Sequence, residues 1–218
     1  MTTDVPRWLW RWANGLLAIS IIGVAALTVA LARGWADPPR AGALWLFDDF
    51  GGDTSRWAFA ASEAASIQAQ AGALRAEFTG AGEAMALTAN PPSDNYTLEM
   101  TGAGQAGALA YGLTFAWQDE THYSAVLVNG NGYAEAYRQN GAEHAQWFAW
   151  QQWPHIRLDA NRVRVEVRGP QITIRINEEL VVEANGIDAG GRFGLLARSE
   201  GTSGEVTFGW AQVWADVP

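Results

Sequence analysis

The 218-residue chain contains no cysteine and only three histidines, His122, His144 and His155. Without thiols it cannot form disulfides or thiolate metal sites, and it has no cysteine to serve as a nucleophile or to carry an N-terminal lipid. The histidines lack the spacing of paired metal ligands. The chain also has no Gly-x-Ser-x-Gly motif and no glycine-rich loop of the phosphate-binding kind. These absences argue against the common nucleophilic, metal-dependent and nucleotide-binding classes.

Lysine is absent as well, so all 14 basic residues are arginines, against 23 acidic residues. Residues 1–33 carry Arg7, Arg11 and Arg33 against Asp4, which gives this segment +2 and leaves −11 for the remainder of a chain whose net charge is −9. A protein that binds nucleic acid needs a basic surface to neutralise phosphates. The acidic remainder of the chain therefore argues against a nucleic-acid partner.

Residues 12–32 contain no charged side chain. As a helix this run would be about 31 Å long, enough to cross the hydrocarbon core of a bilayer. Side chains suited to the lipid interface flank it at both ends: Trp8, Trp10, Trp12, Trp35, Arg7, Arg11 and Arg33. We expect an uncleaved signal anchor, with residues 1–11 in the cytoplasm and the later domain in the periplasm or outside the cell. The alternative is a signal peptide that is cleaved after Ala30-Leu31-Ala32.

Residues 33–43 have the composition of a linker, in which Pro38-Pro39 cannot continue a helix and favours an extended spacer. The folded domain is expected over residues 44–218. There, roughly a dozen short segments alternate apolar and polar residues between turn signals spaced about every 8–12 residues. This pattern predicts an all-β domain, a two-sheet antiparallel jelly-roll sandwich preceded by one transmembrane α-helix.

The clearest strand signal lies in residues 161–182, where two runs of alternating valines and isoleucines are joined by Gly169-Pro170. A second turn is predicted at Asn177-Glu178-Glu179. Successive side chains of a strand point to opposite faces. The alternation therefore predicts that Val165 is buried between the sheets and that Arg164, one residue away, lies on a solvated face.

Short segments with a particular order and spacing extend through the whole domain: Asp49-Phe50, Trp57, Ile67, Gly72-Ala73-Leu74, 111–115, Asp119, His122-Tyr123, Gly132-Tyr133, Trp153, 161–165, 174–177, 194–197 and 206–208. In that order they resemble the concanavalin A-like lectin and glucanase jelly roll, in its laminin-G-like branch. The resemblance implies two curved antiparallel sheets with the ends of the domain close together, so that residues 44–50 pair near residues 206–214. Members of this family bind sugars, hydrolyse glycans or bind proteins, so the fold alone leaves the function open.

The resemblance also bears on metal binding and on catalysis. Related lectin-like domains often hold a calcium ion with loop carboxylates. The candidate ligands here are Asp48, Asp49 and Asp53, and the alternative is that these carboxylates form a solvated acidic edge. No other cofactor is expected.

Glucanases of this fold use a Glu-x-Asp-x-x-Glu strand, whose carboxylates act as nucleophile and acid/base. No glutamate in this chain is followed two residues later by an acidic residue. We therefore expect no enzymatic activity, with Glu77 and Glu83 as residual candidates.

The segment 144–155 is unusually rich in aromatic and amide side chains. The candidate binding residues are Trp147, Trp150, Gln146 and Gln151, while Trp153 matches a structural position of the family and is assigned to the core. If the first two tryptophans are exposed, they suit a sugar platform or a protein contact. If they are buried, they close the end of the sandwich.

Three functions remain open after these observations. The first is a non-catalytic, membrane-anchored sandwich that binds other proteins as an accessory subunit of a membrane complex. The second is a membrane-tethered carbohydrate-binding module, and the third and least favoured is a glycoside hydrolase.

Overall fold

A computed structural model describes residues 6–32, 37–105, 108–187 and 190–216. The chain divides into two compact units, Met1–Pro39 and Arg40–Pro218. The first contains the single helix of the described residues, α1 (Arg7–Ala32), and the second contains fifteen strands.

Helix α1 begins at Arg7, five residues before the uncharged run, so that Trp8, Trp10 and Trp12 all lie on the helix and are exposed. Its stretch Trp8–Ala30 has a mean hydropathy of 2.0 and is long enough to cross a membrane, although a signal sequence has the same properties. The predicted interface residues Arg33 and Trp35 lie outside the described residues.

The strands form two antiparallel sheets, as predicted. Their bounds are β1 (Ala43–Asp48), β2 (Ala58–Ala61), β3 (Ala65–Gln70), β4 (Ala73–Phe78), β5 (Ala81–Thr88), β6 (Asn95–Gly104), β7 (Leu109–Asp119), β8 (His122–Asn129), β9 (Tyr133–Asn140), β10 (Glu143–Gln152), β11 (Asn161–Arg168), β12 (Gln171–Ile176), β13 (Glu179–Asn185), β14 (Arg192–Glu200) and β15 (Gly204–Ala215). Sheet A has the order β13-β12-β11-β6-β15-β4-β3, with β1 also paired to β15. Sheet B has the order β10-β9-β8-β7-β14-β5-β2.

The two ends of the domain pair as expected, with Leu44 of β1 opposite Trp214 of β15.

The alternation of apolar and polar residues in the sequence does not predict β2 or β10. Strand β2 is a run of four residues, three of them alanine, so it has no apolar and polar alternation to detect. Strand β10 has register shifts between Gln146 and Phe148 and between Phe148 and Gln151, which break the period of two.

The predicted meander forms β11, β12 and β13. Val165 is fully buried between the sheets, and the turns fall at Gly169-Pro170 and at Asn177-Glu178. Both residues of the second turn have positive φ angles, 51° and 72°, as a two-residue hairpin turn that matches the twist of its strands requires.

The prediction that Arg164 lies on a solvated face is wrong. Its side chain is 1% exposed, and so is that of Glu99 on the adjacent strand β6. The Arg164 guanidinium contacts Glu178 at 2.7 Å and Glu99 at 3.8 Å. Arg40 and Arg162 bind the same two carboxylates and cover them. The outer face of sheet A is thus closed locally by a network of ion pairs.

Candidate functional site

The outer face of sheet B is concave. Arg198 on β14 forms an ion pair with Glu135 on β9, although β7 and β8 lie between these strands. In a flat sheet, three strand spacings would hold their Cα atoms about 14 Å apart. An ion pair across two intervening strands fits the curved sheets that the resemblance implies, with this face on the inner side of the curve. We call this surface, formed by the outward side chains of β5, β14, β7, β8, β9 and β10, the concave face.

The floor of the concave face is apolar and is separate from the main core. It consists of five buried residues, Ala110, Ala125, Leu127, Tyr137 and Leu196. Met85 and Tyr123 pack against this cluster and are half-buried, which leaves part of each side chain available to a ligand.

Two glycines on adjacent strands, Gly112 of β7 and Gly194 of β14, allow close packing of the strands under this floor. A Cβ atom at Gly112 would lie 1.9 Å from the carbonyl oxygen of Val126, and one at Gly194 would lie 2.1 Å from that of Ala86. Since both contacts are with the backbone of a neighbouring strand, neither position has room for a side chain.

Arg198 is the central charged group of the face. In addition to Glu135, it contacts Glu200, with 3.2 Å between Nε and Oε1. Glu83 is its cross-strand neighbour on β5. Burial raises the pKa of the Glu83 carboxyl, an effect that Arg198 opposes and Glu200 reinforces. One cation therefore pairs with two carboxylates and lies beside a third, and the face is acidic.

Aromatic rings line the concave face from β8 to β10. The hydroxyls of Tyr123 and Tyr137 lie 3.4 Å apart, and burial raises the pKa of both, so both remain neutral. The ring of His144 lies over Tyr137, with centroids 4.6 Å apart. Trp150 stacks on Tyr133 at 6.0 Å and 17°, and it is 39% exposed.

A cleft of about 380 Å³ opens at the β2 side of the concave face. Its lining residues are Ala60, Ala61, Ser62, Glu83, Met85, Trp117, Glu120 and Tyr123. We call it the Glu83 cleft. Its volume lies within the range of small-ligand sites, which is about 300–1,000 Å³.

The four binding residues predicted from the sequence do not all lie on one surface of the structure. Trp150 and Gln146 belong to the concave face, since Trp150 stacks on Tyr133 and Gln146 pairs with Tyr137. Trp147 instead packs on the main core and stacks on Phe115. Gln151 pairs with Ala134, whose side chain is in the core, so it projects from the other side of β10. Trp153 packs against the core, as expected.

The three aspartates considered for calcium each accept hydrogen bonds from nearby groups of the fold. Asp48 accepts hydrogen bonds from the backbone N–H of Phe50 and from the indole N–H of Trp57, so both of its oxygens are used within the fold. The Asp49 and Asp53 carboxylates accept hydrogen bonds from the backbone N–H groups of Gly51 and Ser55, respectively. Within the described part of the chain, no group of three acidic or histidine side chains is placed to hold a metal ion.

Sequence patterns alone do not predict that Glu135, Arg198, Tyr123 and Tyr137 belong to one surface. A local signal was present in residues 133–137, Tyr-Ala-Glu-Ala-Tyr, where small residues alternate with large amphipathic ones. Alanine on the inner face and large polar groups on the outer face are expected of a strand whose outer face binds a ligand.

No protein-family model matches the chain, and no curated protein matches it by sequence. Solved structures do match. A carbohydrate-binding module from Bacillus subtilis aligns with a TM-score of 0.55 at 15% identity, over 69% of this chain and 91% of that one. The catalytic domain of an endo-1,3-β-glucanase from Thermotoga petrophila gives 0.59 at 10% identity, over 82% and 99%. A β-glucanase from Bacillus licheniformis gives 0.55 at 9% identity, over 81% and 100%. These similarities show that the domain has the concanavalin A-like jelly-roll fold.

Proposed function

We propose that this protein is a non-catalytic carbohydrate-binding module tethered to a membrane, and that its concave face binds the glycan. The observation that carries the proposal is the combination of exposed aromatic rings and polar groups on one curved surface. Trp150 and Tyr123 offer apolar ring surface, and Gln146, opposite Tyr137, offers an amide on the same face. Sugar rings present apolar C–H faces surrounded by hydroxyls, so they need this mixture of flat apolar surface and hydrogen-bonding groups.

The absence of catalysis is part of the proposal. Hydrolysis with retention or inversion requires two carboxyl groups, about 5–10 Å apart, that flank the scissile bond. Of the carboxylates on the concave face, Glu135 and Glu200 are both engaged by Arg198. Glu83 and Glu120 remain as acidic residues in the lining of the Glu83 cleft, so the proposal that the surface binds a glycan without cleaving it is supported mainly by the missing Glu-x-Asp-x-x-Glu strand.

The test is retention of the full-length, detergent-solubilised protein on immobilised polysaccharides. Trp150→Ala is expected to weaken retention about thirtyfold, since the loss of an aromatic anchor typically costs about 2 kcal/mol of binding free energy. Phe47→Ala is the matched control, because Phe47 is 50% exposed but belongs to β1 of sheet A. No new reducing ends should form during incubation. Retention unaffected by Trp150→Ala, or steady cleavage of the polymer, would contradict the proposal.

The proposal includes a retained anchor, with the N-terminus in the cytoplasm and the sandwich on the outer side. The length and hydropathy of α1 and the tryptophans at its start support it. The protein should remain in the membrane fraction after a carbonate wash, and protease added to intact cells or spheroplasts should degrade the sandwich. A soluble product that starts at Arg33 would instead identify α1 as a cleaved signal peptide.

A protein-binding accessory role in a membrane complex is the second candidate. The outer face of sheet A favours it, because Leu44 and Phe47 are 55% and 50% exposed beside Trp214 and Gln212 of β15. Exposed aromatic and aliphatic side chains of this kind form the centres of protein interfaces. If Phe47→Ala released a copurifying polypeptide while glycan retention was absent throughout, this second function would replace the first.

A further inference from the structure

The carboxylate of Glu83 lies on the concave face next to the cleft named after it. It lies beside Arg198, its cross-strand neighbour, but no direct hydrogen bond or ion pair to its carboxylate is formed among the residues that the structure describes. It is nevertheless half-buried on the wall of the Glu83 cleft. A partly desolvated anion without a partner is costly, and a bound cation would compensate that cost.

The other charges around the cleft also favour a positively charged ligand. Glu120 contributes a second carboxylate to the lining, and no arginine or histidine is among the described lining residues. Of the two arginines beside the lining, Arg198 is engaged by Glu135 and Glu200, and Arg192 stacks on Trp117 and donates to main-chain carbonyls. The cleft therefore attracts cations and repels uronic acids and sulfated or phosphorylated sugars.

The apolar walls of the cleft suit an ammonium group. Trp117 and Tyr123 supply aromatic rings, and Met85 supplies a polarisable thioether. Aromatic faces attract cations, and one face of Trp117 already lies under the guanidinium of Arg192, at 5.4 Å from its centroid. A carboxylate beside aromatic rings in a recess is an arrangement that binds ammonium groups better than neutral hydroxyls.

We propose that the Glu83 cleft binds the protonated amine of an amino sugar, so that the glycan recognised by the concave face is a polysaccharide with free amino groups. This inference rests on the proposed function, since it names the sugar class for that surface. Glu83 pairs with the ammonium, Trp117 and Tyr123 contact its apolar surroundings, and the rings from Tyr133 to Trp150 hold the neighbouring residues of the polymer.

The experiment compares two forms of one polymer, a β-linked polyglucosamine with free amines and the same preparation after complete N-acetylation. Retention of the full-length protein in detergent is measured on both as a dissociation constant at neutral pH. The wild type should bind the free-amine form at least tenfold more tightly. Soluble glucosamine should compete for the free-amine polymer at lower concentration than N-acetylglucosamine.

Glu83→Gln should remove this preference, bringing the ratio of the two dissociation constants close to one. Glu77→Gln is the control, since Glu77 is exposed on β4 of sheet A and should leave the ratio unchanged. Should Glu83→Gln fail to fold, Glu120→Gln on the same cleft should lower the ratio by a smaller factor. Equal binding of both polymers by the wild type overturns the amine assignment alone. Binding of neither these polymers nor any neutral polysaccharide overturns the proposed function with it.

Discussion

Arg164→Asp is expected to destabilise the sandwich about as severely as Val165→Asp, although the two residues lie on opposite faces of β11. Val165→Asp places an unpaired carboxylate between the sheets, which costs several kcal/mol of a total stability of about 10 kcal/mol. Arg164→Asp removes the most buried of the three arginines that bind Glu178 and Glu99 and adds a third anion beside them. Loss of one partner from a buried ion pair costs about 3–5 kcal/mol.

The measurement is urea unfolding of the full-length protein in detergent, followed by far-UV circular dichroism. Arg168→Asp is the matched control on the same face of the same strand. Its side chain is half-buried and donates hydrogen bonds to main-chain carbonyls of Val167 and Tyr96. It should cost about 1 kcal/mol. If Arg164→Asp were no worse than Arg168→Asp, the ion-pair network would contribute little to the fold.

The contrast between these two positions shows what alternation can predict. A period of two assigns Arg164 and Val165 to opposite faces, and this assignment is correct. It cannot predict what covers each face. Arg164 is buried because Arg40, from the start of the domain, and Glu178, from the turn after β12, converge on it. Burial of this kind depends on contacts between segments that are distant in the chain, and local sequence patterns do not encode those contacts.

The same limit explains why the concave face could not be assembled from the sequence. Its ion pair joins Arg198 to Glu135, which are 63 residues apart, across two intervening strands. The order β9-β8-β7-β14-β5 interrupts a meander with a strand from the end of the chain. Only this crossover brings Glu83, Arg198 and Tyr123 to one surface. The edge strand β10 gave a compositional signal instead, and it identified Trp150 and Gln146 but also Trp147, which packs on the core.

Curvature connects the packing of sheet B with its proposed function. A flatter sheet would separate Arg198 from Glu135 and open the apolar floor to water. Gly112 and Gly194 lie at the centre of this sheet, where their backbones approach those of the neighbouring strands too closely for any side chain. These two positions therefore help to set the shape on which glycan binding depends.

Gly112→Ala is accordingly expected to cost about 3 kcal/mol or more, because its new methyl group would meet the Val126 carbonyl at 1.9 Å and must push β7 and β8 apart. Gly52→Ala is the control, since no atom lies within 4 Å of a Cβ there and its φ angle is not positive; it should be nearly neutral. Thermal melting measures both variants. At temperatures where Gly112→Ala remains folded, its glycan retention should also fall, whereas a purely local strain would leave retention at the wild-type level. A melting temperature equal to that of Gly52→Ala would show that the strands can separate freely, and that the concave face does not depend on this glycine.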